Sequence, residues 1–310
     1  MRILVVGAGA TGGYFGALLA RAGQDVTFLV RPARAEALRR RGLRVVVGSD
    51  EVWRLDPVLV TADELAAAPS PYDLVLLSVK ATALEAAMAD LAPAVGPGTA
   101  IVPQLNGLAH VDALVARFGS ERVLGGVSKV VTTLDDEGDI RRFAPLAQIE
   151  LGELDGGVSA RGEAIRKVLA DAGVDARVPA DILTAMWHKW VFITTVGALT
   201  ALVRGTVGEV NAAPGGTELA TALLDEAVAV SAAAGHPVPE VERRAVLDVV
   251  TAAGSPLVPS LYRDLVAGRP TEVEHLFGDL TARARALGVA TPLLDLATLH
   301  LRVHQARVTA

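Results

Sequence analysis

The 310-residue sequence has no cysteine, which excludes disulfides, thiolate nucleophiles and cysteine-ligated metal sites. It has no basic excess: 29 Lys and Arg stand against 35 Asp and Glu, a formal net charge of −6. A nucleic-acid partner calls for a basic domain, so none is expected. Long hydrophobic runs are missing too. The longest, residues 191–203, has about 13 residues between Lys189 and Arg204, short of the roughly 20 that a bilayer span needs. The apolar start, Met1 to Val6, is too short for a signal-peptide core and runs into glycines. The expectation is a cytoplasmic protein with no membrane partner. Lysine is also scarce. Only Lys80, Lys129, Lys167 and Lys189 occur among the 29 basic residues, so each lysine invites a reason.

What is present is 51% hydrophobic and 21% charged, the composition of a folded chain. The length suits about two domains at roughly 150 residues each. Up to about residue 178, short β-branched runs alternate with helical patterns. Strands are expected at 3–6, 25–30, 43–47, 52–55, 74–79, 100–102, 123–131 and 149–151, and helices at 14–21, 33–41, 62–67, 84–91 and 112–117. Strand–helix alternation predicts a parallel sheet covered by helices on both faces. After that the period is helical throughout, at 181–203, 217–234, 241–250, 271–287 and 293–303, with Gly/Pro punctuation between. The expected organisation is an α/β domain over 1–178 and an all-helical domain over 179–310. Ala- and Val-rich helix faces in the second leave open a homodimer interface or ordinary core.

Gly7-Ala8-Gly9-Ala10-Thr11-Gly12 is a G-x-G-x-x-G that follows an expected strand and opens an expected helix. That context gives the motif its meaning. Gly7 permits a tight turn, Gly9 lets backbone approach a pyrophosphate, and Gly12 allows close helix–strand packing. The helix start offers N–H groups and partial positive charge to phosphate. The second strand then runs into Arg31, with Arg34 three residues on and no carboxylate at the strand end. A carboxylate there would bond a ribose 2′-hydroxyl; an arginine accommodates a 2′-phosphate. NADPH is therefore expected over NADH, a solvated arginine face being the alternative.

Trp187-His188-Lys189-Trp190 opens a long stretch almost free of charge. Lys189 lies either at the exposed edge of that helix or toward a cleft. Partial burial lowers a lysine's pKa and a nearby carboxylate raises it, a balance that suits a general acid. His188 points about 100° away on a helix and reads as structural. Further on, Ser260 and Asp264 lead to Gly268-Arg269-Pro270-Thr271-Glu272, where Thr271 looks like an N-cap and Glu272 sits in the first turn. Plain capping explains that pattern by itself. Glu272, His275 and Asp279 include one histidine at a common spacing, and no metal is expected.

Together these pieces resemble the ketopantoate reductase (2-dehydropantoate 2-reductase) family over nearly the whole chain. The resemblance rests on Gly7–Gly12 with Gly13-Tyr14-Phe15-Gly16, Val79-Lys80, Asn106-Gly107, Trp187-His188-Lys189, and Ser260 with Gly268 to Glu272. It implies a Rossmann-type parallel-sheet domain joined to a helical domain like that of 6-phosphogluconate dehydrogenase, with the active site in the cleft between them. It implies NADPH as hydride donor and a 2-oxo acid, ketopantoate by default, as the small-molecule acceptor. Lys189 would be the general acid, with Glu272 paired to it and holding the substrate hydroxyl. Ser260 would bind the substrate carboxylate, Asn106 would lie near nicotinamide and substrate, and Lys80 and Arg31 near the cofactor. The sequence departs from the family on the substrate side. Asparagines usual four and eight residues after the lysine are replaced by Ile193 and Gly197, and Leu105 replaces the usual Gln or His before Asn106. A retuned substrate, a different ketone, 2-oxo acid or imine, is the rival expectation. A non-catalytic NADPH sensor is a third, opposed by the retention of Lys189 and Glu272.

Overall fold

The computed structural model describes residues 1–48 and 51–309. They form two compact units: Met1–Leu105 with His110–Ala185, and Asn106–Ala109 with Met186–Ala310.

The first unit carries β1 (Arg2–Val6), β2 (Asp25–Leu29), β3 (Leu43–Val47), β4 (Glu51–Leu55), β5 (Val58–Val60), β6 (Leu74–Leu77), β7 (Ala100–Pro103), β8 (Leu124–Leu134), β9 (Ile140–Glu153) and β10 (Asp175–Arg177). Its helices are α1 (Ala10–Arg21), α2 (Pro32–Arg41), α3 (Ala62–Ala67), α4 (Leu84–Leu91), α5 (Ala109–Phe118) and α6 (Ala160–Asp171). Five strands form an all-parallel sheet in the order β5-β2-β1-β6-β7. Successive side chains on a strand point to opposite faces. Ile3, Val5, Leu74 and Leu76 accordingly feed one core with Phe15 and Phe28, while Leu4, Val6, Val75 and Leu77 feed another with Met88, Leu91 and Leu114. Burial on both faces explains why these strands are apolar throughout. The chain runs outward from β1 to β2 on one side and returns to β6 on the other. Ligands of open parallel sheets bind at such a switch point, beyond the carboxyl ends of the strands.

The alternation did not disclose a second, mixed sheet. β10, β9, β3 and β4 lie in that order, and β8 pairs antiparallel with β9. Only residues 149–151 of β9 are expected from the sequence; the strand is 14 residues long. Its first half reads Ile-Arg-Arg-Phe-Ala-Pro and is half solvent-exposed, so it lacks the apolar run of a buried strand. Pro145 is tolerated because the β8–β9 register is irregular there, shifting between Val130 and Thr132.

The second unit is built from α7 (Ile182–Val203), α8 (Val207–Ala212), α9 (Gly216–Ala233), α10 (Glu240–Val250), α11 (Ser260–Val266), α12 (Asp279–Ala286) and α13 (Pro292–Thr309). The division between the units falls within α7. That helix is 22 residues long, close to the 181–203 expected, and by length and composition it could cross a membrane. Yet 61% of its apolar window is buried inside the fold. Trp190, Val196, Leu199 and Ala201 are all nearly or wholly inaccessible. A helix apolar all round is a core helix here, since its faces are covered by protein.

Candidate active site

The glycine turn links β1 to α1. Gly7 has φ +95°, and a Cβ there would lie 2.7 Å from the Ser78 carbonyl oxygen. A Cβ on Gly12 would run into the Gly7 carbonyl and come within 2.6 Å of the Ser78 Cβ. Both glycines are demanded by the protein's own packing. Gly9 differs: a Cβ there would meet no protein atom within 4 Å. The open side of the turn is therefore at Gly9, where a bound phosphate would approach backbone. Gly9 is also the N-cap of α1, without a side-chain cap and with no acid in the first turn. The first N–H groups of α1 keep their capacity for an anion. Ala8, Ala10 and Thr11 complete the turn, Thr132 Oγ1 donating to the Ala10 carbonyl at 3.0 Å. These residues fit a dinucleotide.

Residues following the other parallel strands flank this turn. β2 ends at Leu29, and exposed Arg31 is the N-cap of α2. Arg34 is partly buried, and its Nη2 donates to the Ala8 carbonyl at 3.2 Å and the Gly138 carbonyl at 3.1 Å. Burial lowers its pKa, while Asp139 works against that shift. Arg34 is thus committed to holding the turn, which its spacing from Arg31 did not reveal. Of the Arg39–Arg41 run, Arg39 pairs with Glu64, Arg40 with Glu36 and Arg41 with Glu137 at the surface. After β6 come Ser78, whose hydroxyl donates to Gln104 Oε1, and exposed Lys80.

In the second unit α7 carries Lys189, partly buried and flanked in the sequence by His188 and buried Trp190. The indole rings of Trp187 and Trp190 are 5.0 Å apart, and Trp187 stacks on His236 at 5.8 Å. Both nitrogens of His188 face acceptors, Glu242 Oε2 at 2.7 Å and the Pro237 carbonyl at 3.2 Å. That commits His188 to anchoring the helix. Trp190 Nε1 donates to the Leu276 carbonyl at 3.0 Å, which locks α7 against the segment following Glu272.

That segment corrects the sequence reading twice. Thr271 does not cap a helix. It is buried, and its N–H donates to Gln305 Oε1 at 2.8 Å. Glu272 stands just before the helix, its carbonyl accepting from Leu276 N at 3.0 Å. Residues 274–278 then form a π-helical turn rather than regular α-helix. Such turns recur at functional sites. This one brings His275 Nε2 within 2.6 Å of the Asn106 carbonyl. Gly107, at φ +76°, lies against the same turn, its Cβ position 3.1 Å from the His275 carbonyl. Lys189, Glu272 and Asn106 are therefore placed by elements bonded directly to one another. Ser260 is the exposed first residue of α11, and Ile193 is partly exposed on α7. Gly197 is buried. The space its side chain would take is filled by Phe277, with Cζ at 3.1 Å and Cε2 at 3.5 Å. Nothing in the sequence pattern pointed to Phe277, and His275 was weighed only as part of a metal spacing, not as a partner of Asn106.

Family models match both parts of the chain. Residues 3–156 match the model described as ketopantoate reductase PanE/ApbA, and residues 181–305 match that family's C-terminal model. The chain belongs to the ketopantoate reductase family. It is 31% identical over 306 residues to the uncharacterized oxidoreductase YkpB of Bacillus subtilis, covering 99% of each chain. It is 32% identical to a 2-dehydropantoate 2-reductase of Archaeoglobus fulgidus, covering 93% of this chain and 92% of the relative. The solved 2-dehydropantoate 2-reductase of Geobacter metallireducens superposes with a TM-score of 0.88 at 31% identity, over 98% of this chain and 99% of that one. As a ketopantoate reductase family member the chain is an oxidoreductase with a Rossmann-type sheet and a helical C-terminal region.

Proposed function

We propose that this family member reduces a 2-oxo acid to a 2-hydroxy acid with NADPH, ketopantoate being the default acceptor and the cytoplasm its setting. The observation that carries the reading is the Trp190–Leu276 bond, which fixes the helix of Lys189 against the turn that follows Glu272. The turn of Gly7 to Gly12, open at Gly9, suits the pyrophosphate, and exposed Arg31 suits a 2′-phosphate. Lys80 and Asn106 are assigned to the cofactor side as well. When bound, NADPH supplies the hydride. Lys189 donates the proton that the carbonyl oxygen needs as it becomes an alkoxide. An ammonium held there stabilises developing negative charge more than the neutral carbonyl, which is what lowers a barrier. Glu272 pairs with the lysine and holds the new hydroxyl. Ser260 and Asn106 orient the acceptor, the Ser260 hydroxyl binding the acceptor's carboxylate. Lysine recovers its proton from water.

A second reading has its own support. Ile193 and Gly197 give the Lys189 face of α7 no amide to offer an acceptor, which favours a different ketone, 2-oxo acid or imine. NADPH oxidation across ketopantoate, other 2-oxo acids, ketones and cyclic imines tests both. Ketopantoate turnover supports the default, and turnover only elsewhere on the panel supports the second reading. NADPH binding with no turnover of any acceptor would contradict both.

A further inference from the structure

We propose that Phe277, seated over Gly197, closes the Lys189 face of α7 to polar groups and so selects acceptors with an apolar side chain beside the reacting carbonyl. The inference rests on the reductase reading above and sharpens its acceptor.

Lys189, Ile193 and Gly197 are spaced by four residues and share one face of α7. The first position is a cation and the second a partly exposed branched alkyl group. The third is covered by an aromatic ring: Phe277 is fully buried, and Leu261 Cδ2 reaches 4.0 Å from the same Cβ position. Any side chain at residue 197 would have to displace that ring. The π-turn sets the ring there, and the Trp190–Leu276 bond holds the turn in register with α7.

The hydroxyls nearby are buried and give their protons to their own helix. Thr194 donates to the Trp190 carbonyl at 2.7 Å, Thr195 to the Val191 carbonyl at 2.8 Å, and Thr200 to the Val196 carbonyl at 2.7 Å. Each bonds its own helix and is buried. Beyond Lys189 this face therefore presents the partly exposed alkyl group of Ile193, with Gly197 sealed beneath the Phe277 ring. A hydroxyl carried there by an acceptor would leave water without gaining a partner. Ketopantoate carries such a hydroxyl at the end of its side chain. Its analogue 3,3-dimethyl-2-oxopentanoate replaces that hydroxyl with a methyl group and changes little else.

The test is kcat/KM for this matched pair with NADPH. Wild-type protein is expected to favour the methyl analogue by roughly 10- to 100-fold, the range in which an apolar pocket discriminates against an added hydroxyl. The double substitution Gly197→Asn/Phe277→Leu makes room for an amide. It should move the ratio at least tenfold toward ketopantoate, mainly through KM, with NADPH affinity unchanged. Ile193→Asn, on the same face without a ring to displace, should shift the ratio in the same direction and reads the outcome if the double variant does not fold. A wild-type ratio at or below one overturns the inference while leaving the reductase reading intact. A folded double variant with the wild-type ratio overturns the role of Phe277. If neither acid is turned over although NADPH binds, this inference falls, and the reductase reading falls with it only if the other 2-oxo acids, ketones and imines are not turned over either.

Discussion

In the β1–α1 turn a Cβ on Gly9 would meet no protein atom within 4 Å, whereas on α7 a Cβ on Gly197 would meet the Phe277 ring at 3.1 Å. Both positions lack a side chain, for opposite reasons. At Gly9 the chain keeps a space free for something outside itself. At Gly197 it has filled the space from within. The turn thus has room for a dinucleotide phosphate, while the lysine helix at Gly197 is occupied by packing. A ligand-facing glycine and a packing glycine cannot be told apart by residue type, only by what surrounds them.

The largest test of this contrast lies at Lys189. Lys189→Ala should lower turnover by about 10²- to 10⁴-fold, the usual contribution of a positioned acid, while NADPH titration stays at the wild-type midpoint. Next comes the packed side of the turn. Gly12→Val drives a side chain into the Gly7 carbonyl and Ser78, and should destabilise the fold by about 1–3 kcal/mol in urea unfolding. Arg31→Ala should weaken NADPH by roughly tenfold, one charge-assisted hydrogen bond being worth about 1.5–3 kcal/mol before solvent screening of an exposed arginine. NADH binding should barely change, so the ratio of the two affinities is the readout. The smallest expected stability effect is at Gly9. Gly9→Ala should leave the unfolding free energy within about 0.5 kcal/mol, as for a substitution that touches nothing, yet weaken NADPH.

The sequence made the turn legible because its chemistry is local. Gly7, Gly9 and Gly12 act within one strand–turn–helix unit, and Arg31 follows directly from the end of β2. The parallel strands were legible because burial on both faces leaves an apolar run. The first half of β9 was not, since its pairing with β8 and β3 is long-range and its residues are polar or half-exposed. Lys189 stood out as a rare lysine on an apolar helix and its role came from the resemblance; for Glu272, spacing alone left capping as the simpler account of the Thr271–Glu272 pair. The bonds joining Trp190 to Leu276 and His275 to Asn106 span 86 and 169 residues, beyond any periodicity. Arg34 misled for the same reason: its partner at Gly138 is 104 residues away.

The central claim is that an intact dinucleotide turn serves an acid at Lys189. The most direct measurement is NADPH oxidation by wild-type and Lys189→Ala protein with a set of 2-oxo acids, beside an NADPH binding titration of each. The account predicts turnover by wild-type protein, its loss by at least about 100-fold in the variant, and equal NADPH affinity in both. Undiminished turnover in Lys189→Ala, or wild-type protein that binds NADPH and reduces no acceptor, would contradict it.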